Sequence, residues 1–328
     1  MRQLTVDAQG QDKRLDKYIL KQLPSLPMGM MQKYLRLKRI KLNGKPAKGD
    51  QRLNAGDVLS LYIDDDFFAQ PRKVDALLSG FRPHLHIVYE DAQILLADKQ
   101  PGLMVHPDAQ EKLNTLLTHV RAYLYQKGEY DSMDPAAFSP APCNRIDRFT
   151  GGLVIFAKTK AALDVLNRKI RDREIQKSYL AIVRGAPQPR AGRMENYILK
   201  PEGARRVSVV ERAQPGAQPA LTLYRTLESN RNMSLVECEL ITGRTHQIRA
   251  QFAHAGHPLL GDSQYGDRTF NQRFGRPFQA LYAYRLTFDF QTPAGPLDYL
   301  QGESFAVQRV PFVSDFFPGR DLQRREDE

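Results

Sequence analysis

A carboxylate beside a glycine-rich turn is the feature of this sequence that most suggests chemistry. Residues 145–152 read RIDRFTGG, and the apolar run 153–156 that follows is typical of a short buried strand. Asp147 is thereby held at the end of a sheet, and the two glycines allow a sharp turn and the close approach of a ligand. The alternative is an aspartate that only caps a turn, which is the usual role of a lone Asp in such a place.

Two other segments carry polar groups next to predicted regular structure. Residues 177–185 read KSYLAIVRG, which predicts a strand with Tyr179 near its start. Residues 243–249 read GRTHQIR and lead into a predicted helix that Gly256 can cap. Arg244 and Arg249 both belong to this second segment. A carboxylate, a phenol and arginines are thus available for one site.

The size and charge of the chain limit its class. Its 328 residues exceed the usual single-domain size of about 100 to 150, so we expect two domains. Lys and Arg outnumber Asp and Glu by 48 to 37, a net charge of +11 that favours a polyanionic partner. Only Cys143 and Cys238 are present, too few for a disulfide framework and without metal-binding spacing. No apolar run approaches about 18 residues, so we expect a cytoplasmic protein without a membrane partner.

The first 64 residues predict a small, separate basic domain. Two amphipathic helices, over 14–23 and from Met30 to Leu37, are followed by an Asn43-Gly44 hairpin turn and an alternating strand from Val58. This order of elements over residues 12–64 resembles the alpha-L RNA-binding domain found in many RNA-modifying enzymes. The resemblance implies that its basic side chains contact RNA, and the candidates are Arg14, Lys33, Arg36, Lys38, Arg39 and Lys41.

The remainder predicts an α+β domain with a mixed, mainly antiparallel central sheet and flanking helices and loops, since strands and helices do not alternate regularly. We expect the small α/β domain at 1–64, a linker at 65–83, the large domain at 84–315 and a charged tail at 316–328. Residues 186–220 are rich in Pro, Gly, Arg and Ala and predict a flexible basic loop around Arg205 and Arg206.

Several ordered motifs of the large domain together resemble the RluA-type family of RNA pseudouridine synthases. They are RIDRFTGG, KSY and GRTHQIR, supported by PGLMVHP at 101–107, GHPLLGD at 256–262 and LYAYRLTF at 281–288. The resemblance extends over about residues 84–315. It implies an isomerisation in which uracil leaves the ribose at N1, rotates and reattaches through C5.

The resemblance also implies the roles of individual residues. Asp147 would act at the anomeric centre, as a nucleophile or as a base, with Arg244 beside it to stabilise its charged form. Arg145 would fill the gap left when the target nucleotide flips out of the RNA. Tyr179 would lie against the flipped uracil, where stacking suits a phenol better than proton abstraction does.

No step of this reaction requires a metal or an organic cofactor, so we expect neither. His254 and His257 have a spacing that occurs in metal sites, but structural roles are the more common ones for such a pair. Many members of the family differ from this chain, with His at Asn144, Ser at Gly151, His at Gln251 and His at Tyr282. None of these is a proposed catalytic residue, so the departures concern the choice of target nucleotide.

Three functions remain open from the sequence. The first is a monomeric synthase acting on structured RNA, most simply large-subunit ribosomal RNA, with transfer RNA as the other substrate. The second is an inactive RNA-binding or ribosome-assembly factor, which would not need a buried carboxylate. The third is a base-releasing glycosidase, which would normally need a second carboxylate as the acid.

Overall fold

A computed structural model describes residues 2–23, 26, 28–68, 77–108, 111–132 and 137–320. The chain forms two compact units, one of Met1–Phe81 with Leu124–Ala137 and one of Arg82–Tyr123 with Phe138–Glu328. The first unit includes the segment from Leu124 because Gln126 Nε2 donates hydrogen bonds to the carbonyls of Leu78 (2.9 Å) and Phe81 (2.6 Å). The boundaries therefore differ from those expected at 64 and 84.

Residues 2–68 of the first unit, where described, form a four-stranded antiparallel sheet with two α-helices. The strands are β1 (Arg2–Thr5), β2 (Ile40–Leu42), β3 (Lys45–Pro46) and β4 (Val58–Leu61), in the order β1-β4-β2-β3. The helices are α1 (Leu15–Gln22) and α2 (Met28–Arg36), with short 3-10 helices at Ala8–Gly10 and Asp65–Phe68. Asn43 and Gly44 both have positive φ, at 49° and 79°, as the predicted hairpin turn requires.

The large unit is built on an 11-stranded sheet. Its strands are β5 (Ile87–Glu90), β6 (Ile94–Lys99), β7 (Ala141–Pro142), β8 (Gly151–Ala157), β9 (Ile175–Arg184), β10 (Ala191–Leu199), β11 (Ser208–Val210), β12 (Ala217–Ser229), β13 (Met233–Leu240), β14 (Leu281–Phe288) and β15 (Ser304–Ala306). The main order is β11-β10-β12-β13-β9-β14-β8-β6-β5, with β15 on β14 and β7 on β8. Only the β14–β8 pair among these is parallel. The predicted mixed, mainly antiparallel α+β fold is confirmed.

Further helices lie between or after these strands, and the first of them, which begins at Leu116, ends in residues that belong to the first unit. They are α3 (Leu116–Gln126), α4 (Lys160–Arg171), α5 (Gln247–His254), α6 (Arg268–Phe274) and α7 (Pro311–Phe316), with a 3-10 helix at Gly295–Leu300. The helix α4 begins at Thr159, whose hydroxyl accepts from Ala162 N–H, and it packs Leu166 into the core. Within the described ranges, no helix is both long enough and apolar enough to cross a lipid bilayer.

The centre of the sheet fixes the position of the RIDRFTGG segment. All seven residues of β8 are buried, which explains its unbroken apolar sequence. Gly152 has φ of 115°, and a Cβ there would lie 2.2 Å from the carbonyl oxygen of Ala283 on β14. A glycine at position 152 therefore allows β8 and β14 to approach each other closely. This contact lies at the start of β8, directly after the loop formed by residues 144–150.

Residues 186–220 contain more regular structure than the expected basic loop around Arg205 and Arg206, which forms only a short part of this region. This region contains β10, β11 and the start of β12, and β10 pairs with β12 over nine residues from Ala191 to Leu199. The sequence signal is weak because exposed and partly buried positions alternate along most of β10, and because Gly192 and Pro219, residue types that are rare in strands, lie within β10 and β12. Arg205 and Arg206 occupy the turn between β10 and β11. The expected linker and charged tail fall partly on 69–76 and 321–328, which lie outside the described residues.

Candidate active site

Asp147 is presented by a short loop that is tied to β8. Thr150 N–H donates to the carbonyl of Asp147 (3.1 Å), which closes a tight turn. Asn144 then anchors the loop, because its Oδ1 accepts from Ile155 N–H (2.8 Å) and its Nδ2 donates to Leu153 O (3.3 Å). The amide of Asn144 therefore extends the hydrogen bonding of the strand to the loop that carries the carboxylate.

A buried lysine fixes the same loop from the other side. Lys99 is fully buried, and its Nζ donates to the carbonyls of Gln100 (3.1 Å), Leu103 (2.8 Å) and Arg148 (2.9 Å). Burial lowers the pKa of Lys99 to about 7. Three carbonyl acceptors match the three hydrogens of an ammonium, whereas a neutral amine could donate to only two, so this geometry favours the charged form. Sequence reasoning did not single out this lysine.

Arg249 joins Asp147 to a second, fully buried carboxylate. Its Nη1 donates to Asp147 Oδ2 (2.8 Å), while its Nε and Nη2 form a fork on Asp262 (2.7 and 3.0 Å). Nη2 also donates to Gln264 Oε1 (3.0 Å). The side chains of Arg249, Asp262 and Asp147 are 5%, 0% and 29% exposed. Burial alone would raise the pKa of Asp262, but Arg249 outweighs it and the pKa is lowered.

The expectation that Arg244 stands beside Asp147 requires correction. Arg244 Nε donates to the carbonyl of Pro219 (3.0 Å), and the guanidinium that bonds Asp147 belongs to Arg249. Arg244 lies in the irregular approach to α5, whereas Arg249 lies in the first turn of that helix. Both arginines line the same cavity, so Arg244 keeps access to a ligand.

The cavity brings the predicted residues together and is large enough for part of a nucleotide. Its volume is about 330 Å³, and it is lined by Asp147, Tyr179, Arg244, Arg145 and Arg249 among others. Tyr179 lies on β9 and is 6% exposed. Burial raises the pKa of Tyr179 and the charge of Asp147 raises it further, so the phenol stays protonated. It can therefore pack against a base or donate a hydrogen bond, but it is a poor proton acceptor.

His246 is a further residue of this cavity that sequence reasoning did not assign. Its Nε2 lies 3.8 Å from Asp147 Oδ2, and its Nδ1 lies 3.0 Å from the hydroxyl of Tyr265. The backbone of His246 is left-handed, with φ of 54°. Its place inside GRTHQIR was visible in the sequence, but no signal there told which ring nitrogen would face the carboxylate.

The basic residues proposed to contact RNA are mostly exposed. Arg145 is exposed at the cavity, and in the first unit Lys33, Arg36, Lys38 and Arg39 are exposed. Lys41 is half-buried, with its Nζ 5.2 Å from the centroid of the Tyr62 ring. Arg14 instead forms a fork on Asp16 (3.1 and 2.6 Å), which occupies much of its guanidinium.

The histidines considered for a metal site have protein partners. His254 Nε2 lies 2.6 Å from Glu211 Oε1, and His257 Nδ1 lies 2.9 Å from the carbonyl of Arg184. These contacts connect the end of α5 to neighbouring segments of the same unit. They give both side chains a structural role.

Two of the family departures are explained by one contact. A Cβ at Gly151 would lie 2.2 Å from Cε2 of Tyr282, so a serine cannot stand there while the tyrosine ring fills the space. The Tyr282 hydroxyl in turn donates to Asp98 Oδ1 (2.7 Å). Gln251 also has a defined role, since its Nε2 donates to Asn196 Oδ1 (2.9 Å) and joins α5 to β10.

Comparisons with known proteins point to one family. The RNA pseudouridylate synthase family matches residues 93–254. The chain is 32% identical over 301 residues to an RNA pseudouridine synthase of Chlorobaculum parvum, covering 87% of this chain and 89% of that protein. It is 30% identical to the ribosomal large subunit pseudouridine synthase C of Escherichia coli, covering 88% of each.

A solved structure shows the same fold. Human RNA pseudouridylate synthase domain containing 4 superposes with a TM-score of 0.54 at 22% identity, covering 75% of this chain and 94% of that one. The carboxylate, arginine and tyrosine around one cavity thus occur in a chain whose sequence and fold both match known synthases. The chain belongs to the RNA pseudouridylate synthase family and is an isomerase of uridine in RNA.

Proposed function

We propose that this protein converts uridine to pseudouridine in large-subunit ribosomal RNA, with Asp147 as the catalytic carboxylate. The observation that carries the proposal is the Asp147–Arg249 contact of 2.8 Å in a cavity that Tyr179 also lines. The relative of Escherichia coli that is 30% identical is a ribosomal large subunit enzyme, which supports this choice of RNA.

Asp147 would act on the sugar of the target nucleotide. The glycosidic bond between C1′ and N1 breaks, the uracil rotates, a bond forms between C1′ and C5, and the C5 proton is transferred so that N1 gains a proton. No atom is lost or gained overall. Asp147 can assist as a nucleophile at C1′ or as a base at C2′, and both roles require an ionised carboxylate. Arg249 stabilises that ionised form because its guanidinium is held in place by Asp262.

The other cavity residues would bind the flipped nucleotide. Tyr179 packs against the uracil as a protonated phenol, since both burial and the charge of Asp147 raise its pKa. Arg145, which is exposed at the cavity, fills the space that the flipped nucleotide leaves in the RNA. Arg244 contacts the substrate directly, because it lines the cavity while Arg249 is the arginine that bonds Asp147.

The first unit would supply affinity for RNA. We propose that residues 1–64 form an alpha-L RNA-binding domain that contacts phosphates through the exposed basic residues of α2 and of the connection to β2. Four-stranded antiparallel pairing and two amphipathic helices support this assignment. We also propose that the protein acts as a monomer in the cytoplasm.

Pseudouridine mapping in cells tests the proposed function. A strain that lacks the gene is complemented with the wild type or with Asp147→Asn, and pseudouridine is mapped in ribosomal and transfer RNA. We expect at least one large-subunit position to lose the modification in the deletion strain and to regain it only with the wild type. A change confined to transfer RNA would contradict the choice of substrate, and an unchanged map would contradict the proposed function.

A further inference from the structure

His246 occupies a strained position beside the catalytic carboxylate. It immediately precedes α5 with a left-handed backbone, φ 54° and ψ 21°, which is uncommon for a residue with a Cβ. Its side chain is 15% exposed and lines the cavity. Strained backbone of this kind is found where the surrounding structure must hold a side chain in a functional place.

Tyr265 determines which nitrogen of His246 carries the proton. The Tyr265 hydroxyl accepts a hydrogen bond from Val207 N–H (2.8 Å), so its own hydrogen is free to be donated to His246 Nδ1, 3.0 Å away. Burial raises the pKa of Tyr265, which keeps this donor protonated. A neutral imidazole that accepts at Nδ1 bears its hydrogen on Nε2. His246 therefore presents an N–H to the cavity.

The charges around His246 are consistent with the neutral ring. Burial lowers its pKa, and Arg249 and Lys200 lower it further, while Asp147 and Asp262 act in the opposite direction. The ring also meets that of Tyr265 edge to face, with centroids 5.6 Å apart. These contacts fix the orientation of the ring as well as its protonation.

The gap between His246 and Asp147 has the size of a bridging hydroxyl. His246 Nε2 and Asp147 Oδ2 are 3.8 Å apart, which is too long for a direct hydrogen bond. An oxygen placed about 2.8 Å from each atom fits this separation. Such an oxygen would have to accept from Nε2–H and donate to the carboxylate, and a hydroxyl group does both.

We propose that His246 Nε2–H donates a hydrogen bond to the ribose 2′-hydroxyl of the target uridine, which itself donates to Asp147. This inference rests on the proposed function, because a carboxylate that acts at C1′ or C2′ lies next to the 2′-hydroxyl. The arrangement makes the site selective for a ribonucleotide over a 2′-deoxynucleotide, since the latter leaves both groups without their partner.

A substrate and protein substitution cycle tests the proposal. The substrate is an RNA oligonucleotide that covers the mapped target, made with either uridine or 2′-deoxyuridine at that position. The proteins are wild type, His246→Ala, His246→Gln and, as a matched control at the other end of the same helix, His254→Ala. The measured quantity is kcat/KM for isomerisation, and circular dichroism checks that each variant is folded.

We expect the wild type to prefer uridine by about 10- to 100-fold. His246→Ala should lose about tenfold on uridine and almost nothing on 2′-deoxyuridine, so that the preference falls by about that factor and only the part due to the Asp147 contact remains. His246→Gln keeps a donor near the position of Nε2 and should restore part of the preference. His254→Ala should behave as the wild type.

An equal loss on both substrates would overturn the proposal, because His246 would then act without the 2′-hydroxyl. If His246→Ala does not fold, Tyr265→Phe decides the matter: it removes the hydroxyl that orients the ring and should reduce the preference, and an unchanged preference would contradict the proposal. A wild type that forms no pseudouridine on the uridine substrate would instead contradict the proposed function.

Discussion

Arg249 is shared by two carboxylates of different exposure, and this sharing fixes where its charge can act. Asp262 is fully buried and accepts hydrogen bonds from Nε and Nη2 of the guanidinium. Asp147 is 29% exposed and accepts one from Nη1. Because the guanidinium is planar and rigid, fixing one edge directs the other. The carboxylate of Asp147 therefore meets a preorganised positive charge at the cavity surface.

Replacement of each arginine by lysine separates their roles. Arg249→Lys keeps the charge but loses the fork on Asp262, so we expect kcat to fall by about 10²- to 10³-fold. Arg244→Lys loses the Pro219 contact but keeps a positive charge at the cavity wall, so we expect kcat to fall by less than about tenfold. Single-turnover rates on the mapped RNA check this, with thermal unfolding as the control for stability. A larger effect of Arg244→Lys would contradict the assignment of Arg249.

For individual residues, the sequence predicted which residue types line the cavity but not which of them bond to each other. Asp147 and Tyr179, which line one cavity, were both proposed from the sequence because each lies beside a clear strand signal and within one of the family motifs. Arg244 and Arg249 are five residues apart in one motif, and their roles depend on where the first helical turn begins. Lys99 and His246 were missed because their functions depend on carbonyl and hydroxyl groups that are distant in the sequence.

The parallel contact of β8 and β14 depends on two residues of complementary size, Gly151 and Tyr282. Gly151 leaves the space that the Tyr282 ring fills, and the Tyr282 hydroxyl bonds Asp98 on β6. The energetic cost of a substitution at one position should therefore depend on the residue at the other. The pair of residues carried by many family members, serine and histidine, is the natural comparison.

Gly151→Ser alone should destabilise the protein by about 1 to 3 kcal/mol, because its Cβ would lie 2.2 Å from the tyrosine ring. When combined with Tyr282→His the loss should be smaller than the sum of the two single changes by about 1 kcal/mol or more. Urea unfolding of the two single variants and the double variant measures this coupling. Additive losses would show that the two positions are independent.

A buried ion pair connects the end of α4 to the segment after β14. Lys169 is fully buried, and its Nζ donates to Glu174 Oε2 (2.5 Å) and to Thr292 Oγ1 (2.7 Å). The hydrogen bond from Lys169 is the main cause that lowers the pKa of Glu174 to about 2, against the opposing effect of burial. The backbone N–H of Gln291 also donates to Glu174 Oε2 (2.9 Å).

This pair predicts an acid-dependent stability. Because the pKa of Glu174 is lower in the folded protein than its usual 4.5, its contribution is complete above about 4.5 and is lost as the pH falls toward about 2. Glu174→Gln should be less stable than the wild type at neutral pH, and the difference should narrow over that range. Urea unfolding at a series of pH values checks this, and a constant difference would contradict it.

At the element scale, apolar runs and periodicity located most of the sheet. The strands β8, β9 and β13 were predicted because they are buried along most of their length. The strands β10 and β11 were missed because few of their residues are fully buried and β10 includes a glycine and two charged residues, so that composition indicated a loop.

The net charge of the whole chain, +11, predicts RNA binding that depends strongly on salt. In the first unit, α2 and its connection to β2 carry four exposed basic residues, while Arg14, which immediately precedes α1, is paired with Asp16. Replacing basic residues of α2 therefore tests the proposed RNA contacts, and replacing those of α1 and its approach serves as the control.

The triple variant Lys33→Gln, Arg36→Gln and Lys38→Gln should reduce the slope of log K against log salt by about 2 to 3, if each residue contacts one phosphate. The matched control replaces three exposed lysines of α1 and its approach, Lys13, Lys17 and Lys21, and should change the slope by less than about 1. Filter binding of the mapped RNA at several salt concentrations gives both values. Equal slopes for the two triple variants would contradict the proposed RNA surface.

At the scale of the molecule, length predicted two domains, charge favoured a polyanionic partner, and the resemblance to the family named RNA as that partner. The placement of Leu124–Ala137 in the first unit was not predictable, because it depends on hydrogen bonds between an amide side chain and distant carbonyls.

The most direct test of the account measures pseudouridine formed by purified wild type and Asp147→Asn on the mapped RNA under single-turnover conditions. Asparagine keeps the size of the side chain but cannot ionise, so it serves neither as nucleophile nor as base. We predict a rate at least about 10³-fold lower with a dissociation constant for RNA within about threefold of the wild type. A variant that isomerises uridine at a rate comparable to the wild type would contradict the assignment of Asp147 as the catalytic carboxylate.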